Sequence, residues 1–248
     1  MPESTRKHDL EIEIAATPEQ VWEALSTGQG VQSWFAPIAE VEPGPGGKRF
    51  IKWCEGMEGS QRNEVWEPNR HLRTVSDRGE DTPPTVVDYL IESRGGITVL
   101  RMVHSGFGEG ASFDSEFEST GSAWPVFLHM LKHSVEMGTA SARNVSEFRM
   151  PGVTQAAAWA ALMGPEGMAA HGAFDQAVVR LFNPGRGFCL EFPERHGAML
   201  SLFCETCGGS SMITITWLLY GRPAAEAEAL HHHCAELLDR LFGQTTAA

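Results

Sequence analysis

Two cysteine–histidine segments and one isolated histidine have the types and spacings that could support chemistry. Cys204-Glu205-Thr206-Cys207 and His231-His232-His233-Cys234 offer thiolates and imidazoles, the usual ligands of zinc. Cys204, however, shares strand parity with Leu200 and Leu202, and Cys234 falls on the apolar stripe of a helix, so both read as small core residues. Consecutive helical residues diverge by about 100°, so the three histidines cannot all point one way. As a redox pair, Cys204 and Cys207 lack the following helix N-terminus that lowers a thiol pKa, because Gly208-Gly209 leads into a strand. His129 and His133 have the i, i+4 spacing that can put two ligands on one metal. Relative to Trp124 they lie roughly 140° and 180° around a helix, which assigns them to a solvated face or to a contact with the second half. The expectation is that the protein binds no metal and no cofactor.

The isolated histidine is His104. Thr98, Leu100, Met102 and His104 share one face of a strand by period two, and that face is taken as inward. An inward imidazole could orient a ligand hydroxyl or carboxylate, or act as a general acid or base near neutral pH. The plainer reading is a histidine satisfied by one partner, for which Asp88 and Glu64 are candidates. No paired carboxylates, Gly-Xaa-Ser-Xaa-Gly elbow, dinucleotide fingerprint or phosphate loop occurs, which speaks against the common enzyme classes.

The elements that would position these residues come in two sets. Trp22-Glu23-Ala24-Leu25 with Gly30 recurs as Trp159-Ala160-Ala161-Leu162 with Gly167 at the same spacing. Each set closes on an apolar-faced helix, with Trp124, Leu128, Leu131 and Val135 in the first and Leu230, Cys234, Leu237 and Leu241 in the second. Alternation predicts a strand over 8–15, then a helix capped by Thr17 with Pro18 at its first position, and a short helix over 28–35. Strands follow near 48–54, 61–67, 70–77, 85–93 and 96–105, then a Gly- and Ser-rich loop over 106–118 and a long helix from about 121 to 140. The second set reads as a strand near 145–150, a helix over 154–163, strands near 177–182, 187–192, 197–204 and 211–220, and a helix over 223–243. It is shorter than the first by about two strands with their turns.

Bulk properties narrow the classes. The chain has 248 residues, 42% hydrophobic, and a formal charge of −13. Without a Lys/Arg cluster, that charge argues against nucleic acid as a partner. The polar start and the lack of any 18-residue apolar run predict neither a signal peptide nor a membrane span. Five cysteines, an odd number, suggest no disulfide framework, and a soluble cytoplasmic protein with reduced thiols is expected.

Three segments carry a family resemblance. They are Ile12-Glu13-Ile14-Ala15-Ala16-Thr17-Pro18-Glu19-Gln20-Val21-Trp22-Glu23-Ala24-Leu25; Trp34-Phe35-Ala36-Pro37; and Thr98 to Gly106 followed by Gly121-Ser122-Ala123-Trp124-Pro125-Val126-Phe127-Leu128. Together they resemble the START-like (SRPBCC) superfamily, and within it the branch named for the activator of the heat-shock chaperone ATPase. The family usually has Gly-Trp at the start of the closing helix, where this chain has Gly121-Ser122-Ala123-Trp124. The resemblance implies an α+β helix-grip fold, a curved antiparallel sheet around a long C-terminal helix, complete over 1–143 and truncated over 144–248. It also implies a cavity for a small apolar or amphipathic ligand. Trp34, Trp53, Trp66, Tyr89, Leu100, Met102, His104, Trp124 and Leu128 are expected to line it. A non-catalytic binding protein is the first reading. A chaperone-interacting module is the second, and a cyclase- or hydrolase-like enzyme using His104 the third.

The metal expectation has a direct test. Elemental analysis of the purified protein should find no stoichiometric zinc, and chelation should leave its melting temperature unchanged. A structural zinc stabilises a fold by many kcal/mol, so near-equimolar zinc or a chelator-sensitive melt would reverse the reading.

Overall fold

A computed structural model describes residues 6–54, 57–80, 82–138, 142–168, 175–207, 210–243 and 246–247. The chain divides into two compact units. One comprises Met1–Phe117 with Leu131–Gly138, the other Glu118–Met130 with Thr139–Ala248.

The first unit opens with β1 (His8–Ile14), whose acidic Asp9, Glu11 and Glu13 are exposed in alternation with Leu10, Ile12 and the buried Ile14. Thr17 caps α1 (Pro18–Ser26) through a capping box with Gln20. Thr27 then caps α2 (Gly28–Trp34), its hydroxyl accepting from Gly30 N at 2.9 Å. Six strands follow: β2 (Ile38–Val41), β3 (Lys48–Cys54), β4 (Met57–Glu67), β5 (His71–Asp77), β6 (Val86–Arg94) and β7 (Ile97–Ser105). They form one antiparallel sheet in the order β1-β7-β6-β5-β4-β3-β2, so the first strand pairs with the last. The short β2 escapes the sequence reading.

The long helix α3 spans Ala111–Met137 and begins ten residues earlier than its Gly- and Ser-rich start suggested. Tertiary contacts override the weak propensity there. Asp114 is paired with Arg6 and Glu116 with Arg78, while Phe117 stacks on His8. At the other end Lys132 donates to Glu13 O, Ser134 to Ser33 O, and Glu136 accepts from Ala15 N.

The second unit repeats this order with fewer parts. Its elements are β8 (Ala142–Met150), α4 (Gln155–Met163), β9 (Val178–Asn183), β10 (Gly187–Phe192), β11 (Ala198–Cys207), β12 (Ser210–Leu219), α5 (Ala224–Phe242) and the two-residue β13 (Thr246–Ala247). The sheet runs β13-β8-β12-β11-β10-β9. Without β13, that is the first sheet's order with the counterparts of β3 and β2 removed. One face packs Phe188, Leu190, Leu200, Leu202, Ile213 and Ile215 into a core with Leu162 of α4 and Leu237 and Leu238 of α5. On the other face Ser201 lies against Met130 of the α3 segment, and Phe203 against Phe127. Among the described residues no helix is long and apolar enough to cross a membrane.

The repeated tryptophan–glycine signature has a steric basis. Five residues before each tryptophan stands a capping threonine, Thr17 or Thr154, whose hydroxyl accepts the third helical N–H. A Cβ on Gly30 would collide with the backbone of Glu23 and Ala24, and one on Gly167 with that of Ala161 and Leu162. Each glycine lets the chain fold back against the helix it has just left. Gly30→Ala and Gly167→Ala should each destabilise by about 1–3 kcal/mol, the usual cost of overpacking. Gly59→Ala, where a Cβ would meet nothing within 4 Å, should be nearly neutral. Equal melting temperatures for all three variants would refute the steric reading.

Candidate functional site

The inner face of the first sheet can be read off its register, because directly paired residues point the same way. One row crosses five strands as Leu10, Met102, Tyr89, Leu72 and Trp66. Beside it on one flank run Ile12, Leu100 and Ile91, and on the other His8, His104, Val87, Thr74 and Asn63. The next row is Ser76, Gln61, Arg49 and Val41. The face is thus apolar in its middle and polar toward the β3–β4 side.

The expected lining residues separate into groups. Tyr89, Leu100, Met102 and His104 lie together on adjacent positions, all buried, and Trp66 extends their row. Trp66 meets Trp22 of α1 edge-on, with ring centres 5.1 Å apart. Trp34 and Trp53 belong to a different corner, with Val31, Ala39 and Ile51. Their indole N–H groups are already committed, Trp34 to Ala24 O at 3.1 Å and Trp53 to Phe35 O at 3.2 Å. Trp124 and Leu128 lie in the α3 segment that groups with the second unit, where Trp124 contacts Phe127.

His104 is 6% exposed and lies 4.4 Å from the Phe107 ring and 6.3 Å from the His8 ring, centre to centre. Burial, with smaller contributions from His8 and Arg78, holds its pKa down to about 3. The imidazole is therefore neutral and only weakly basic at physiological pH. The partners suggested from sequence are also misplaced. Asp88 pairs with Val103 in the ladder and so points to the outer face, where it binds His71 at 2.6 Å and Arg73 at 2.8 Å. Glu64 joins the same outer cluster, 3.6 Å from Arg73.

Two polar side chains on the inner face escape the sequence reading. Arg49 is 5% exposed, and its Nη2 donates to Leu25 O at 3.0 Å while Nε and Nη1 have no partner among the described residues. Asn63 uses its Nδ2 to hold the β2–β3 turn through Glu42 O and Gly44 O, leaving a buried Oδ1 without a donor. The signal for Arg49 was present. Period two places Arg49, Ile51 and Trp53 on one face, yet only the tryptophan was read as lining. Asn63 was hidden by a bulge in β4 between Asn63 and Val65, which breaks strict alternation.

The cysteine–histidine segments are engaged in packing and local contacts. Cys204 and Cys234 are buried free thiols, and burial, aided by Glu205, pushes Cys204 up to about 12. His231 stacks on Phe148 and His232 faces Glu236. The Cys207 side chain lies outside the described residues. His129 bonds Pro125 O at 2.8 Å, and His133 is buried rather than solvated. Among the described residues no group of three His, Cys, Asp or Glu is placed to hold a metal ion.

Residues 15–136 match the family model described as activator of Hsp90 ATPase homolog 1-like protein. No curated protein matches the chain. Among solved structures, a Mesorhizobium loti protein is 24% identical over 51% of this chain and 94% of its own, with a TM-score of 0.47. The Aha1 dimer from Colwellia psychrerythraea is 23% identical over 53% and 97%, with a TM-score of 0.45. DynU16, from the dynemicin biosynthetic locus, is 14% identical over 96% of both chains, with a TM-score of 0.47. Over residues 15–136, just under half of its length, the chain is thus similar to the activator of Hsp90 ATPase homolog 1-like family.

Proposed function

We propose that the first unit is a non-catalytic binding module for a small amphipathic molecule held on the inner face of its sheet. The observation that supports this is the mismatch between burial and bonding there. Arg49 Nε and Nη1 and Asn63 Oδ1 are buried without partners among the described residues, beside the apolar rows of Leu100, Met102 and Tyr89. Native interiors leave few such atoms, and each calls for an explanation. A ligand with an apolar body and a polar head supplies one. The lining assigned to it is Trp66, Tyr89, Leu100, Met102 and His104. Trp34 and Trp53 are assigned to packing of the α2–β3 corner, and Trp124 and Leu128 are left out. The division into a complete domain over 1–143 and a shorter one over 144–248 belongs to the same proposal.

A second reading has its own support. The outer face carries paired charges, Arg101 with Asp9 and Arg94 with Glu92, around a groove of about 400 Å³ that also includes Arg70 and Glu67. This suits a protein partner better than an apolar molecule, and the family description directs attention to an Hsp90-type ATPase. Stimulation of that ATPase, lost when Arg94 and Arg101 are reversed to Glu, would favour it.

The binding reading predicts that the protein takes up a neutral apolar dye and that Leu100→Trp displaces it with a small fall in melting temperature. A tight core would instead lose about 1–3 kcal/mol on overpacking. No dye uptake by the parent, together with a large fall in the variant, would remove the cavity.

A pH titration tests the neutral His104. Between its folded value of about 3 and its ordinary value of 6.5, the unfolded chain binds a proton that the folded chain does not. Stability therefore falls as pH drops below about 6.5, by at most about 1.4 kcal/mol per unit from this group. His104→Gln should flatten the curve there, and the parent imidazole should stay neutral by NMR down to about pH 4. An imidazole titrating near 6.5 would favour the reading of His104 as a general acid or base.

A further inference from the structure

Arg49 is the most unusual group on the inner face. It stands on β3 between Lys48 and Phe50, whose side chains take the opposite face, and it pairs in the ladder with Gln61. Its one protein bond, to Leu25 O, reaches the last turn of α1, which has no basic residue of its own. With only Nη2 engaged, each edge of the guanidinium keeps a free nitrogen. Among the described residues no carboxylate forms an ion pair with it. Tyr89 is the ionisable group that interacts with it electrostatically, and burial raises the phenol's pKa, so the neighbour stays neutral. Arginine keeps its charge even when burial opposes it. The interior therefore holds a cation with donors to spare and no counter-charge, a situation that leaves most of its desolvation cost uncompensated.

We propose that Arg49 is the anchor for a carboxylate, so that the ligand is an amphipathic monocarboxylic acid with its apolar body along the Met102–Tyr89 row. This rests on the binding reading above and names the class of molecule it would take. A planar two-oxygen acceptor matches one edge of the guanidinium fork, where a hydroxyl or an ammonium would not. Asn63 Oδ1, two residues along β4 from the Arg49 partner Gln61, accepts rather than donates. It therefore selects a head group that also carries a proton donor, such as a hydroxyl on the carbon next to the carboxylate.

The experiment uses the full chain, a neutral apolar dye, decanoate and decan-1-ol. Decanoate should displace the dye at about ten-fold lower concentration than decanol, the difference expected for charge-assisted bonds. Arg49→Met should bring decanoate to the level of decanol and leave decanol unchanged, and Arg49→Lys should keep part of the preference. Because Arg49 also closes the end of α1, the methionine variant is expected to lose stability. A measurement on the parent alone therefore runs beside it. The carboxyl carbon of bound 13C-labelled decanoate should remain ionised to lower pH than that of the free acid. Decanol displacing the dye as well as decanoate, or a bound carboxyl that titrates at or above its free value, would overturn the Arg49 assignment while leaving the binding reading intact. If neither compound displaces the dye, both fall.

Discussion

The first strand of the first unit pairs with its last, His8 opposite His104 and Ile14 opposite Thr98, and the rest of that sheet depends on this register. Side chains alternate with a period of two, so a slip of one residue would turn Leu100, Met102 and His104 outward and bring Arg101 and Val103 in. Both faces resist that slip. Inside, Thr98 and Leu100 are completely buried, and Thr98 donates to Ala16 O at 2.6 Å. Outside, Arg101 grips Asp9 with two bonds of 2.7 and 2.8 Å. The outer pair is exposed and contributes little stability, but it opposes like-charge contacts that a shifted register would create. Because the partners lie some ninety residues apart, closing this ladder carries a loop-closure cost that local structure must offset. The capped α1–α2 turn, closed tightly by Gly30, is one such local piece.

What could be read from the sequence follows the strength of each local signal. Strands with strict alternation, β1 and β7 above all, declare both their existence and their inward residues. Caps and glycines locate α1 and α4 almost to the residue. The misses have separate causes. The start of α3 is held by Asp114, Glu116 and Phe117 contacting distant residues, and no window of local sequence contains those partners. Asp88 looked like a companion for His104 because only one position separates it from Val87, yet one position is the difference between faces. A charged residue in a strand is ordinarily a solvated one, so the sequence does not mark Arg49 as buried. Its one hydrogen bond among the described residues reaches Leu25 O at the end of α1, a partner that composition does not reveal.

The polar groups elsewhere in the first unit show how unusual Arg49 is. Trp34, Trp53 and Thr98 each reach a backbone carbonyl, and Ser76 accepts from Thr85 N at 2.8 Å. The fold satisfies neutral donors by aiming them at chain ends and turns. At α1 it uses two donors side by side, the neutral Trp34 indole on Ala24 O and the charged Arg49 guanidinium on Leu25 O, at the helix end where intrahelical partners run out. A cation also complements the negative end of the helix dipole, so capping accounts for part of the choice of arginine. Capping engages Nη2 and leaves Nε and Nη1 unused among the described residues.

The shortened second sheet sharpens this point. It ends at β9, the counterpart of β4, and so lacks the strand that carries Arg49 in the first unit. Its side toward α5 is filled by Phe188, Leu190, Leu200, Leu202 and Ile215, all fully or almost fully buried. At the edge where β3 would follow, Val178, Val179 and Phe182 stay exposed, and the Arg180–Glu191 pair puts charge on the same strand. Such charge discourages further strand addition at an open edge. Loss of two strands has thus removed the polar corner and left an apolar core. The two units share a topology, but among the described residues a buried arginine stands in the first alone.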